Sequence, residues 1–186
     1  MCIMLAVLMG KVLKTKTAVA GDEVTYSLML RQMQKAAAIQ HKGIASRHAY
    51  SMDGIDYYCG IRDEDIGILR QKYDVIILDI SFENTFDNTN VTFARMVSRL
   101  SACDEKILAG SMLPWKSREC EKKMERIERF LDIRGLKMVT LAACDKEAVS
   151  IIKKHGVEVV LIPFERNPFV ISGENLRSFL ELLKIT

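Results

Sequence analysis

The chain has no stretch approaching the roughly 18 consecutive apolar residues that cross a bilayer as a helix, so no integral membrane span is expected. It also lacks an excess of one charge. Lys and Arg number 27 against 24 Asp and Glu, a net +3, with lysine and glutamate interspersed. That balance gives no electrostatic case for nucleic acid. The five cysteines (Cys2, Cys59, Cys103, Cys120, Cys144) form no C-x-x-C pair and lie scattered among apolar segments. This suits buried thiols in a reducing cytoplasm rather than a disulfide framework. The three histidines, His41, His48 and His155, are far apart and without metal-ligand spacing, and are expected on the surface or in loops. With no Pro- or Gly-rich linker, no internal repeat and no low-complexity segment, the expectation is one domain, residues 1–186. That length can bury a sizeable core.

What is present is an alternation of buried strands and amphipathic helices. "YDVIILDIS" is apolar and β-branched without alternation, the mark of a strand covered on both faces. Burial of that kind predicts a loss of about 2–5 kcal/mol for Ile77→Ala. "NVTFARMVSRL" reads as a helix, "KILAGSM" as a second buried strand, and residues 114–135 as a long amphipathic helix. On that helix Met124, Ile127 and Leu131 share one side, Pro114 suits the first turn and Gly135 the end. "LKMVTLAA" is a third strand, "KEAVSIIKKHG" a helix ending at Gly156, and "VEVVLIPF" a fourth strand. The last helix, "ENLRSFLELLK", carries Leu176, Phe179, Leu180 and Leu183 as its apolar stripe. Nearer the start, "TYSLMLRQMQKAAAIQ" reads as a helix, residues 41–60 as loop with one short strand, and "DEDIGILRQKY" as a short helix. Residues 1–15 are expected as an N-terminal strand or an irregular extension; "MCIMLAVLMGK" lacks the charged n-region and cleavage site of a signal peptide.

This order predicts an α/β fold with a mainly parallel sheet and helices on both faces. Val75–Ile80, Ile107–Gly110, Met138–Ala142 and Val157–Ile162 are expected as central neighbours. Ligands in such folds bind outside the carboxyl ends of the strands. The residues to inspect there are Gly21, Ser81–Asn84, Gly110–Pro114, Ala143–Asp145 and Pro163–Pro168. "KTAVAGDEVTYSLML" reads as a short strand, a glycine turn and a helix, the setting of a phosphate-binding loop. Asp79 ends the run "VIILD", where an aspartate can hold a magnesium-bound water, although many α/β proteins end a strand in aspartate to cap a loop.

From residue 17 onward the order of pieces resembles the MinD/ParA-type P-loop ATPases. It is similar in particular to the divergent TadZ/CpaE-like members found beside pilus-assembly genes. The matching pieces are "VTYSLML" after the loop, "KYDVIILDIS" as the Walker B strand, "CDEKILAGSMLPWK" as the next strand and turn, and "VVLIPFERNPF" as the last strand. The resemblance implies a P-loop NTPase-like, three-layer fold. It implies nucleotide contacts at Gly21, Thr25, Asp79, Pro163 and Phe164, with Asp79 reaching Mg2+ through water. The departures weigh against catalysis. The family loop, roughly K-G-G-x-G-K-[ST], uses glycines to admit phosphates and lysines to neutralise them. Here "AGDEVTYS" keeps Gly21 and Thr25, lacks the lysine, and puts Asp22 and Glu23 where triphosphate would sit. Like charges at such range repel strongly in a partly dry site. In a second register "IMLAVLMGK" is the first strand with Gly10-Lys11 at its end, but no Ser or Thr follows Lys11.

Three readings follow. The first is a non-catalytic or weakly nucleotide-binding MinD/ParA-like protein acting in positioning or assembly of a pilus or secretion complex. The second is an active ATPase with an unconventional loop, and the third a receiver-like or other regulatory binding module. For cofactors, ATP or ADP with Mg2+ and none at all stand level. Expected partners are proteins, including a homodimer or heterodimer through the loop face, in a cytoplasmic protein recruited to the membrane, if at all, by those partners. No catalytic residue is assigned. Cys103 reads as a buried thiol, Ser81 lacks a hydrolase turn, and Trp115 is expected to anchor the long helix to the sheet. The charge run Lys116 to Arg129 reads as a solvated helix face, with Glu121, Glu125 and Arg129 giving i,i+4 support.

Overall fold

The computed structural model describes residues 1–21, 37–39, 44, 48–80, 90–133, 135–143 and 145–185. The chain groups into two compact units, Met1–Asn88 with Asn167–Ile171, and Thr89–Arg166 with Ser172–Thr186.

The first unit is built on β1 (Thr17–Gly21), a strand of small side chains buried throughout. It pairs in parallel with β4 (Ile55–Cys59) on one side and β5 (Val75–Leu78) on the other. β2 (Ala37–Ala38) and β3 (His48–Met52) complete the order β2-β3-β4-β1-β5, both joined antiparallel. Alternation sends side chains to two faces. Val19, Ile55, Tyr57, Cys59 and Ile77 meet Ile3, Ala6 and Val7 of helix α1 (Cys2–Val7), with Phe169 and Ile171 alongside. Ala18, Ala20, Tyr58, Ile76 and Leu78 form the other cluster, with Leu69 of α2 (Asp63–Lys72) and the adjoining Tyr73. Helices therefore cover both faces of this sheet.

Four expectations for this unit need correction. Residues 1–15 do not form a strand. Cys2–Val7 is α-helix and continues as a π-helical turn through Val12. Its Met, Leu and Ala are good helix formers, and an apolar run without a polar face carries no periodicity to tell a buried helix from a strand. The loop expected over residues 41–60 contains a hairpin, β3–β4. Asp53 (φ 55°) and Gly54 (φ 79°) both take the left-handed conformation that a two-residue type I′ turn requires. Ala37 and Ala38, within the helix expected over residues 25–40, are strand; residues 22–36 lie outside the described residues. β5 is only half-buried, because β1 is its one ladder partner among the described residues.

The second unit carries a parallel three-stranded sheet: β6 (Ile107–Met112), β7 (Lys137–Ala143) and β8 (Glu158–Leu161), in that order. The four strands expected as one run of neighbours are thus distributed over two sheets. Periodicity marks a strand but not its partner. The helices are α3 (Asn90–Ser101), α4 (Pro114–Glu128), α5 (Asp145–His155) and α6 (Gly173–Leu183). α4 has Pro114 in its first turn and buries Cys120, Met124 and Ile127. It stops short of Gly135, whose φ of 83° instead serves the turn into β7. Gly110 lets α4 approach β6: a Cβ there would lie 2.6 Å from Cys120 Sγ and 2.8 Å from Met138 Cε. In α6 the Ser172 hydroxyl accepts from the Asn175 amide, and Phe179 and Leu182 lie at the centre of the buried stripe, with Leu176, Leu180 and Leu183 at its margins. Trp115 is not an anchor; at the start of α4 it is 74% exposed.

The half-burial of β5 lowers the expected loss for Ile77→Ala to about 1–2 kcal/mol in denaturant titration. Gly110→Ala should cost about 1–3 kcal/mol by overpacking. Combining it with Cys120→Ala should cost less than the sum of the single changes, because the second substitution removes the nearest obstructing atom; strict additivity would refute the contact. The buried phenols give a pH test. Burial raises the pKa of Tyr57, Tyr58 and Tyr73, and the hydrogen bond from Tyr73 to Asp56 adds to the effect. Their folded-state values exceed the ordinary one near 10, so the stability they contribute is full below about pH 10 and declines as pH rises above it. In alkaline titration of the folded protein Tyr57, Tyr58 and Tyr73 should ionise above the ordinary tyrosine range. Reversible ionisation of these three phenols near the ordinary value, with the fold intact, would contradict this.

Candidate nucleotide-site remnant

Parallel pairing brings the carboxyl ends of β1, β4 and β5 together. Gly21 stands opposite Cys59, and Ala20 opposite Leu78. The ladders run one step further on each side: the Gly60 amide donates to the Gly21 carbonyl at 2.9 Å, and the Asp79 amide to the Ala20 carbonyl at 2.8 Å. Asp79 is therefore fixed by its own backbone next to the residue that opens the candidate loop, and it is half-buried. Of the five residues singled out for nucleotide contact, the structure brings Gly21 and Asp79 together. Thr25 lies outside the described residues, as do Asp22, Glu23 and Ser81–Asn84.

Pro163 and Phe164 belong to the second unit, just past the carboxyl end of β8. The Ile162 amide still donates to Thr140 at 2.9 Å, after which the chain leaves the sheet. Pro163 is half-buried and Phe164 76% exposed. Glu165, next in sequence, accepts from the buried Asn175 side chain at 3.2 Å, which ties this turn to the start of α6.

Lys11 is excluded as a phosphate lysine. Its ammonium pairs with Asp53 in the hairpin turn. Asp53 precedes β4, whose first residue Ile55 sits opposite Thr17, the first residue of β1. Lys11 is thus at the amino end of β1, about 13 Å along the strand from Gly21. The second register fails for the same reason that the strand over residues 1–15 does: "IMLAVLMGK" is helical.

The other candidates resolve as follows. Among the described residues no group of three His, Cys, Asp or Glu side chains is placed to hold a metal ion. An aspartate at a strand end suits magnesium as a contact through water, since Mg2+ keeps most of its hydration and draws other ligands from phosphate. His48 stacks on Tyr50. The His155 side chain is buried, not superficial, with Nδ1 2.8 Å from Glu128 and Nε2 without a partner. Among the described residues Cys2, Cys59, Cys103 and Cys120 form no disulfide. Burial pushes the Cys120 thiol above its ordinary range, which makes it a poor nucleophile. Sequence reasoning missed the hydrogen-bonded set Tyr58–Tyr73–Asp56 on the α2 face, with Lys16 over the Tyr73 ring. No periodicity marks such a set, because Asp56 and Tyr58 come from one strand and Tyr73 from a helix end distant in sequence.

No protein-family model matches this chain, and no curated protein sequence matches it. Solved structures similar to this chain include two from one organism. The MinD cell division protein of Aquifex aeolicus superposes with a TM-score of 0.64 at 12% identity, covering 99% of this chain and 89% of that one. A chain of the MinC:MinD cell division protein complex of the same organism gives 0.63 at 11%, covering 100% and 90%. Identity this low establishes the fold alone: the chain has the mixed α/β architecture of MinD, parallel sheets flanked by helices.

Proposed function

We propose that this chain is a MinD/ParA-like protein with a degenerate phosphate loop, one that binds nucleotide weakly, does not turn ATP over and acts through protein partners. The observation that carries the reading is the pairing of Asp79 with Ala20, which places the aspartate beside Gly21 at adjacent strand ends. In this reading Asp79 is the acidic half of a nucleotide site. The cationic half is wanting, since the loop sequence lacks its lysine and Lys11 is engaged at the other end of β1. Phosphoryl transfer depends almost wholly on positioning and on cations around the transferring group. In this reading Gly21, Thr25, Asp79, Pro163 and Phe164 are the residual nucleotide contacts, and Asp79 would reach Mg2+ through water.

Protein partnering is supported by the MinD-like fold, one of whose members is found in a complex with MinC. The narrower role, positioning or assembly of a pilus or secretion complex, rests on the sequence resemblance to TadZ/CpaE-like proteins. Dimerisation through the loop face and membrane recruitment by partners belong to the same proposal. Among the described residues no helix is long and apolar enough to cross a membrane.

Phosphate release by the purified chain with Mg-ATP should be indistinguishable from background, in wild type and in Asp79→Ala alike. Asp22→Gly with Glu23→Lys should improve binding more than turnover. Melting in Mg-ATP or Mg-ADP measures binding directly, because a ligand at about 100 times its Kd adds about 2.7 kcal/mol. Turnover clearly above background and abolished by Asp79→Ala would replace this reading with that of a working, unconventional ATPase.

A further inference from the structure

Helix α4 sorts its side chains into three stripes of the same i, i+4, i+7 spacing, each turned about 100° from the last. Cys120, Met124 and Ile127 are buried. Glu121, Glu125 and Glu128 are engaged by α5: Lys154 reaches Glu121 at 2.6 Å and Glu125 at 2.7 Å, and His155 meets Glu128 at 2.8 Å. Lys122, Arg126 and Arg129 form the third stripe. It lines an open cleft of about 380 Å³, together with Phe93 of α3, Glu125 and Phe130.

The cleft is cationic and aromatic at once. The Arg126 guanidinium lies 4.1 Å from the centroid of the Phe93 ring. Phe93 meets Phe130 edge-on, with centroids 5.2 Å apart. Phe93 is buried and holds Arg126 in place, whereas Phe130 is 63% exposed and offers its ring to a ligand. Among the described residues the one carboxylate lining the cleft, Glu125, already accepts from Lys154. Among the described residues neither Lys122 nor Arg129 closes an ion pair.

We infer that this cleft binds a nucleoside phosphate, its phosphate held by Lys122, Arg126 and Arg129 and its base against Phe130. Guanidinium groups match phosphate oxygens in two-pronged geometry, and an arginine fixed by stacking loses less freedom on binding. The exposed ring supplies the stacking surface that a base needs. The volume is within the range of small-molecule sites and accommodates one nucleotide. The site uses none of the residues assigned to the strand-end remnant, so either can fail without the other.

The test is calorimetric titration of the full chain with AMP, inorganic phosphate and a single-stranded oligonucleotide. AMP should bind more tightly than phosphate and lose affinity as salt rises. Lys122→Glu and Arg129→Glu, both at exposed positions, should each weaken AMP about tenfold or more while leaving the melting temperature unchanged. Phe130→Ala should weaken AMP and leave phosphate unaffected, and Asp79→Ala should change neither. Several outcomes would overturn the inference: no AMP binding at millimolar concentration, equal affinity for AMP and phosphate, AMP binding that survives Arg129→Glu or is lost with Asp79→Ala, or binding of the oligonucleotide alone.

Discussion

The first unit depends on one strand being paired on both edges and covered on both faces. Three of the five residues of Thr17–Gly21, two alanines and a glycine, form strands poorly on their own. It holds as a strand because β4 and β5 complete its hydrogen bonds on either side. The small side chains are a consequence of the covering. Val19 meets α1 on one face, and Ala18 and Ala20 leave room on the other for Tyr58 and Tyr73. Larger residues at 18 and 20 would compete with those rings for space. The same two ladders decide where Gly21 and Asp79 fall, since a parallel register fixes which residues leave adjacent strands at the same level. The candidate site is therefore a product of strand pairing, and backbone hydrogen bonds set the level of its two described members.

Much of this was legible in the sequence where a pattern was long and periodic. The helices over Asp63–Lys72, Asn90–Ser101, Pro114–Glu128, Asp145–His155 and Gly173–Leu183 follow their apolar spacing or their caps. All the strands from Val75 onward were legible as strands. What a single sequence does not carry is which strand lies beside which. "VIIL" and "ILAG" look alike as buried runs, yet one pairs with Thr17–Ala20 and the other with Lys137–Thr140. The N-terminal helix was illegible for a different reason: it is apolar all round, and period is informative only when polar residues interrupt it. The hairpin at Asp53-Gly54 was available in principle. Alternation in "HAYSM" and "IDYYC" flanks a dipeptide suited to two left-handed residues, and that local signal is stronger than the loop-like composition around it.

The site was legible as positions, not as an assembly. Gly21 and Asp79 could be named because each follows a recognisable strand, and the ladders then brought them together. The absence of a lysine in the loop was a sequence fact from the outset. The structure adds where the nearest alternative sits: Lys11 is paired with Asp53 at the far end of β1. An aspartate set beside a strand-end glycine by the ladders, together with a loop sequence that carries no lysine, is what motivates the proposal of a degenerate phosphate loop.

The long helix α4 shows why charge runs resist interpretation from sequence. Residues 116–129 read as a solvated face with Glu125 and Arg129 supporting each other along the helix. Such a pair on an exposed surface is worth little, and either partner is free to do better elsewhere. Lys154 offers Glu121 and Glu125 a shared ammonium at hydrogen-bond distance, which holds the Glu125 carboxyl below its ordinary range. The acids of the helix are thereby drawn toward α5. The bases one position further along each turn cannot follow, since a rotation of about 100° carries them to another side. Segregation of this kind leaves a cationic stripe on a helix whose acidic and basic residues are nearly balanced in number. A formal net charge of +3 for the whole chain gives no hint of it. Local field is set by which charges are already spoken for, and that is decided by the packing of α4 against α5.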